Sequence, residues 1–230
     1  MKMRKLALAH GEKGSDQSEP QKNPTKALEY AVELCPNDEF ISIQLNGSPV
    51  TQTYAQIWKG AEIMLGGLRS LGLQPGNTII FQIDTSQDFT PAFWSCVMGG
   101  FIPVPVPSAP DYSQPNQALS KLHDIWQQLN YPTILTTSRL ASQVHSGLQL
   151  CGKKNVKLAI IEEIETHSPD PRLHKLQPDE LALLIPSSGT TGKPKLIEIN
   201  SKTFIYRFLR NAIDKNKNYS EKKSFELVSS

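Results

Sequence analysis

Residues Leu181–Asn200 read LALLIPSSGTTGKPKLIEIN and form the most informative segment of this chain. An apolar run leads into a loop rich in hydroxyl groups and glycine, Ser187–Gly192, and a second apolar run follows Lys193-Pro194-Lys195. Glycine lets successive backbone N–H groups converge on an anion, hydroxyl groups add donors without bulk, and lysine neutralises charge. Two strands that flank such a loop therefore predict a binding site for a polyphosphate.

Two other interpretations of this loop are available. The Walker loop needs four residues between its glycines and a Ser or Thr after its lysine. Here only two threonines separate Gly189 from Gly192, and Pro194 follows Lys193, so that interpretation fails. The second alternative, a plain surface hairpin, is common for Ser/Gly/Thr loops. It does not require four hydroxyl residues, two glycines and two lysines in nine positions, and phosphate binding is the favoured interpretation.

The string SSGTTGKPK resembles the phosphate-binding loop of the adenylate-forming enzymes: acyl-CoA synthetases, fatty acyl-AMP ligases, luciferases and the adenylation domains of nonribosomal peptide synthetases. Two earlier segments resemble family elements in the expected order. Thr53–Ile57 is similar to the T-Y-x-E-L element, and Val97–Pro105 to the A-G-x-x-x-V-P element. The resemblance runs from about Tyr30 to about Ala212. The run Pro103–Pro107 favours acyl-AMP ligases and loading domains of polyketide or peptide synthetases.

The resemblance implies an ATP- and Mg²⁺-dependent ligase that activates a fatty or aryl carboxylic acid and passes it to CoA or an acyl carrier protein. Lys195 would be the catalytic loop cation. The residues that would bind the nucleotide phosphates are Ser187, Ser188, Gly189, Thr190, Thr191, Gly192, Lys193 and Lys195. No metal ligand is expected in this chain.

The chain also departs from the family pattern. Leu196 stands where the family usually has Gly, and Asn200-Ser201 where it runs into T-H or S-H. The family's Y-G-x-T-E element, ribose-binding aspartate and C-terminal lysine all lie downstream of the loop, and none occurs in these 230 residues. We therefore expect an N-terminal part of the large domain, inactive alone and an AMP-forming ligase only if completed. The alternatives are a non-catalytic pseudo-ligase or docking module, and a structural α/β domain.

Composition favours a cytoplasmic globular protein. Lys+Arg 24 against Asp+Glu 22 gives a net charge of +2, too balanced to suggest a nucleic-acid partner. No apolar run approaches the roughly 18 residues of a membrane span. The three cysteines are far apart, without a C-x-x-C pair, which favours reduced thiols over a disulfide or metal site.

Strands and helices alternate along the chain and predict a parallel α/β sheet with helices on both faces, the truncated N-terminal subdomain of an adenylate-forming enzyme. In such sheets ligands bind at the carboxyl ends of the strands, and we expect the loop after the Leu181 strand to lie there. The predicted divisions are a disordered polar leader (1–27), a partial AMP-binding (adenylation) domain (28–213) and a polar tail (214–230).

Several details follow from the same pattern. Thr53 and Gln56 predict a capping box, and Asp88 is expected to be the N-cap of a helix that has Pro91 in its first turn. The tryptophans are expected in packing. The five histidines are expected to be solvated, Asp84 is interpreted as a loop carboxylate, and the Glu162–Glu165 segment as a solvated acidic turn.

Overall fold

The computed structural model describes residues 23–44, 47–152, 155–187 and 194–206. Its helices are α1 (Pro24–Leu34), α2 (Tyr54–Ser70), α3 (Ser86–Gly99), α4 (Gln117–Gln128), α5 (Ser138–Leu150) and α6 (Ile161–Ile164), with residues 201–206 also helical. Its strands are β1 (Glu39–Ile43), β2 (Pro49–Thr53), β3 (Thr78–Gln82), β4 (Ile102–Pro105), β5 (Thr133–Thr136), β6 (Leu158–Ile160), β7 (Leu181–Ser187) and β8 (Lys195–Asn200).

The centre of the fold is a four-stranded sheet with the order β4-β3-β5-β6, in which every pair is parallel. Side chains alternate across it. Ile79 and Phe81 join the apolar cluster formed with α2 and α3, whereas Ile80 and Ile134 join the cluster formed with α4 and α5. The prediction of a parallel sheet with helices on both faces is confirmed.

Two hairpins accompany this sheet. Strands β1 and β2 pair antiparallel, and β7 pairs antiparallel with β8. The prediction that β7 is one of the parallel strands is wrong. Its hydrogen-bonded partner among the described residues is β8, because seven intervening residues are too few for a parallel crossover, which needs a dozen or more. β7 nevertheless lies against β4.

Helix ends follow local sequence, with one correction. The capping box is present: Gln56 N–H donates to the Thr53 hydroxyl, and Thr53 N–H donates to Gln56 Oε1. The N-cap of α3 is Thr85, not Asp88, and Pro91 therefore lies inside the helix. Proline removes the N–H that the carbonyl of Gln87 would accept. Gln52 Nε2 takes its place and donates to that carbonyl at 3.2 Å.

The first described residues form a helix. α1 begins at Pro24 with Asn23 as its N-cap, and Leu28 is buried against the first apolar cluster. Residues 24–27, which we placed at the end of the disordered leader, are thus part of a helix. Residues 1–22 and 207–230 lie outside the described residues. Among those described, no helix combines the length and apolarity needed to cross a bilayer.

Candidate functional site

The β7–β8 hairpin carries the predicted phosphate-binding loop. Ser187 and Lys195 are paired in register at its inner end, and Ser187 Oγ donates to the carbonyl oxygen of Lys195 at 3.3 Å. The strands thus bring the first and last of the predicted site residues together. The other predicted site residues lie outside the described residues: Ser188, Gly189, Thr190, Thr191, Gly192 and Lys193. Their role stays a prediction.

The two faces of this hairpin have different environments. Leu184 is buried and Leu196 partly buried against the cluster that contains Val104 of β4. On the other face the paired side chains of Ile185 and Ile197 are exposed, by 38% and 48%. The first face fixes the hairpin on the domain, so its inner end is held at a defined place beside the sheet.

The charge beside the loop suits an anion. The Lys195 side chain is exposed and makes no ion pair with any residue that the structure describes. A free ammonium group next to a hydroxyl at the mouth of a glycine-rich loop can neutralise a phosphate and donate hydrogen bonds to it. The two described residues, Ser187 and Lys195, therefore have the chemistry to bind an anion such as a phosphate group.

Magnesium has less support. Within the four described ranges, no three His, Cys, Asp or Glu side chains cluster in a way that could hold a metal ion. We derive no chemical step from a metal held by this chain.

The carboxyl edge of the parallel sheet contains a buried polar network that the sequence did not reveal. Gln82, at the end of β3, is fully buried; its Nε2 donates to the carbonyl of Val106 at 2.7 Å, and its Oε1 accepts from the Tyr112 hydroxyl at 2.7 Å. Burial, with a smaller effect of the nearby Asp84 carboxylate, raises the pKa of Tyr112. Tyr112 is therefore a neutral donor that holds the loop after β4 in place.

Charged residues at this edge are paired. Asp84 forms an ion pair with Arg139 of α5, which gives the loop carboxylate a structural partner. Glu162 is exposed as expected, but it accepts hydrogen bonds from the backbone N–H and the hydroxyl of Ser138, at 2.8 and 2.7 Å. It caps α5 and is more than a solvated turn.

Three of the histidines predicted to be solvated are only partly exposed, namely His123, His145 and His174, and His10 lies outside the described residues. His123 is half-buried on α4, and its Nε2 has no hydrogen-bond partner among the described residues. His174 is 24% exposed, and its Nε2 lies 3.1 Å from Glu180 Oε2. His167 is exposed as predicted, with Nε2 2.9 Å from the hydroxyl of Ser70. Trp94 and Trp126 are buried, which confirms their packing role.

One depression lies beside the C-terminal end of α2, with a volume of about 580 Å³. Asp170, which is 8% exposed, lies in its wall and accepts hydrogen bonds from Arg172 Nε and Nη2 at 2.9 and 2.6 Å. Arg69 Nη1 lies 2.8 Å from the same carboxylate. Gly66 and Gly67 allow the 164–170 segment to approach the helix, so the arrangement attaches the connector before β7 to α2.

Known proteins are similar to this chain over most of its length. Residues 28–225 match the family model described as AMP-binding enzyme. Among curated relatives, the inactive atromentin synthetase invA6 of Paxillus involutus is 27% identical over 76% of this chain and 18% of its own length. The atromentin synthetase invA1 of the same organism is 28% identical over 77% of this chain and 19% of its own length. This chain thus spans about a fifth of the length of these relatives.

Solved structures give the same result. The adenylation domain of a keto acid-selecting nonribosomal peptide synthetase module, bound to a keto acyl adenylate, is 33% identical, with a TM-score of 0.72 over 80% of this chain and 34% of that chain. The fatty acid AMP ligase of Legionella pneumophila is 17% identical, with a TM-score of 0.64 over 78% of this chain and 30% of that chain. The second similarity shows the fold alone.

Proposed function

This chain belongs to the family of AMP-binding enzymes, and we propose that it supplies the ATP phosphate-binding part of a carboxylate-activating domain. The observation that carries the proposal is the β7–β8 hairpin, which places Ser187 opposite Lys195 at the two ends of the SSGTTGKPK loop. The Lys195 side chain is exposed and forms no ion pair with any residue in the described part of the chain. The chain's membership of this family and its similarity to solved adenylation domains support the same function.

In this proposal the loop holds the β- and γ-phosphates. Hydroxyl groups of Ser187, Ser188, Thr190 and Thr191 donate to phosphate oxygens, the two glycines permit close backbone approach, and Lys195 neutralises charge on the leaving pyrophosphate. The bound nucleotide supplies the α-phosphate that a carboxylate attacks to give an acyl-adenylate. The protein's part is positioning and electrostatic stabilisation.

For the acid and the acceptor, we propose the chemistry of peptide-synthetase adenylation domains. The neighbours at 31–34% identity, with TM-scores of 0.71–0.72, include adenylation domains of this type. The fatty acyl ligases are 16–20% identical, with TM-scores of 0.63–0.67. The proposed substrate is an amino, keto or aryl acid, and the proposed acceptor is the phosphopantetheine thiol of a carrier protein. The resemblance in the sequence implied a fatty or aryl acid as substrate and CoA or a carrier protein as acceptor. The proposal leaves out the fatty acid and CoA.

The test is an ATP titration by calorimetry of the wild-type chain, the Ser188→Ala/Lys195→Ala double variant and Lys59→Ala, in which an exposed lysine of α2 is removed as a control. We expect weak binding by wild type, with a Kd on the order of 1 mM, because the adenine and ribose contacts are not among these residues. The double variant should lose at least about tenfold in affinity, and Lys59→Ala should bind like wild type. Equal affinity of all three proteins would refute the proposal.

The same reasoning makes a catalytic prediction. Alone, the chain should show no carboxylate-dependent exchange of pyrophosphate into ATP, because the elements that position adenine and the adenylate in the family are absent from these 230 residues. Robust exchange by the purified chain would show that these residues suffice for catalysis.

A second candidate function is a non-catalytic module of a synthetase. The observation in its favour is that two of the relatives, invA6 and invA4, are named inactive synthetases. This candidate predicts a stable fold that binds a partner but shows no activity even when the downstream elements of the domain are supplied. Pyrophosphate exchange by the completed domain would exclude it.

A further inference from the structure

We propose that His174 is a positioning residue that fixes the β7–β8 hairpin on the parallel sheet. The consequence for nucleotide affinity rests on the function proposed above. The mechanical part, that one side chain holds the hairpin relative to the α3–β4 junction, stands on the contacts alone.

On the sheet side, His174 is attached to the junction between α3 and β4. Its backbone N–H donates to the carbonyl of Met98 at 2.7 Å. Its ring lies directly over Gly100, where an added Cβ would be 2.4 Å from His174 Cδ2. Gly100 ends α3 with φ +69°, and its carbonyl accepts from the N–H of Gly76 at 2.7 Å. The histidine is thus placed against the residues that start β4.

On the hairpin side, His174 contacts the residue that immediately precedes β7. Its Nε2 lies 3.1 Å from Glu180 Oε2, which also accepts from the backbone N–H of Gln177 at 2.8 Å. The carbonyl of Glu180 accepts from the N–H of Ser201 at 2.9 Å, and Ser201 immediately follows β8. Both strands are therefore tied, at their outer ends, to the residue that His174 holds.

The charge state of Glu180 strengthens this contact. The hydrogen bond from the Gln177 N–H, together with the nearby His174, holds the pKa of Glu180 below its ordinary value. At neutral pH the histidine therefore meets a carboxylate, and hydrogen bonds to ionised acceptors are about twice as strong as neutral ones.

The hairpin needs such a contact. Two-stranded hairpins are marginally stable by themselves, and within the described residues β7 and β8 pair only with each other. Packing of Leu184 against the second cluster gives burial, which is non-directional. The bond from His174 to Glu180 adds a directional contact between the hairpin and the α3–β4 junction.

The experiment compares wild type, His174→Ala, His174→Gln and His167→Ala by amide hydrogen exchange, followed by ATP titration. The glutamine amide can still donate to Glu180. His167→Ala is the matched control, because His167 also bonds a side chain, Ser70 at 2.9 Å, but lies beside α2. In His174→Ala, amides of β7 and β8 should exchange roughly tenfold faster, while those of β3 and β5 do not change. This is the effect expected from the loss of one hydrogen bond to a charged group. ATP should bind at least about threefold more weakly.

The outcomes separate the inference from the proposed function. His174→Gln should restore most of the protection, and His167→Ala should leave the hairpin unaffected. Unchanged exchange in the hairpin of His174→Ala, or equal acceleration in β3 and β5, would overturn the positioning role. If wild type does not bind ATP, the proposed function and the affinity part of the inference both fail, and the exchange pattern still decides the mechanical part.

Discussion

Replacement of Gly100 by alanine should expose the contact on which the position of His174 depends. Two costs add at this residue. Its φ of +69° lies in the left-handed region, which costs a residue with a Cβ about 1–2 kcal/mol. The new Cβ would also lie 2.4 and 2.6 Å from His174 Cδ2 and Cγ, and overpacking of this kind costs about 1–3 kcal/mol. The expected loss of unfolding free energy is therefore about 3 kcal/mol.

The two costs can be measured separately. Gly72→Ala is the matched control, because Gly72 has φ +85° but no atom within 4 Å of an added Cβ, so it should cost only about 1–2 kcal/mol. In a His174→Ala background the ring is gone, and Gly100→Ala should then cost no more than Gly72→Ala. Urea unfolding of the five proteins gives the coupling energy directly. If Gly100→Ala costs as much in the His174→Ala background as in wild type, the ring does not lie over Gly100.

Two further predictions concern the attachment of the connector to α2. Gly67→Ala should lower the stability of the protein by about 1–2 kcal/mol net, because the new Cβ would lie 2.5 Å from Ile164 Cβ and the gain in helix propensity is only about 1 kcal/mol. Gly60→Ala is the control on the same helix, since the nearest atom to its new Cβ lies at 3.1 Å. In a thermal melt Gly60→Ala should be neutral or slightly stabilising. Hydrogen bonds from Arg172, together with Arg69, hold the pKa of Asp170 well below its ordinary value. The ionised carboxylate therefore stabilises the folded protein above the unfolded-state pKa of about 3.9, and this stabilisation is lost as the pH falls below that value. The melting-temperature difference between wild type and Asp170→Asn should thus be largest near pH 7 and shrink below about pH 4, and a difference independent of pH would contradict this assignment.

Local signals in the sequence predicted most of the elements. The hydroxyl of Thr53 and the amide of Gln56 cap α2 as the capping-box pattern indicates, and Asn116 caps α4. The N-cap of α3 was misassigned although the signal was present, since Thr85 followed by Asp88 is also a capping pattern. The prediction placed Pro91 in the first turn, where proline is usual, and therefore started the helix too late. Pro91 is accommodated inside the helix because Gln52, which is distant in sequence, donates to the carbonyl that proline leaves without a partner.

Contacts between distant parts of the chain could not be predicted in this way. His174 is separated from Gly100 by more than seventy residues, and nothing in the sequence around His174 indicates that its ring packs against Gly100. Gln82 ends an apolar strand, yet it is fully buried because Tyr112, thirty residues later, satisfies its amide. Of the site itself, the sequence predicted the loop and its cation, and the structure adds the register that pairs Ser187 with Lys195.

The role of the loop can be tested by comparing ATP, ADP and AMP affinities, with inorganic triphosphate as a competitor. If the loop between β7 and β8 holds the β- and γ-phosphates, affinity should fall by about tenfold for each phosphate removed, and triphosphate should displace ATP. Lys195→Ala should reduce these differences, because the loop hydroxyl groups and backbone N–H groups remain. Equal binding of AMP and ATP by the wild-type chain, with no competition by triphosphate, would contradict the account.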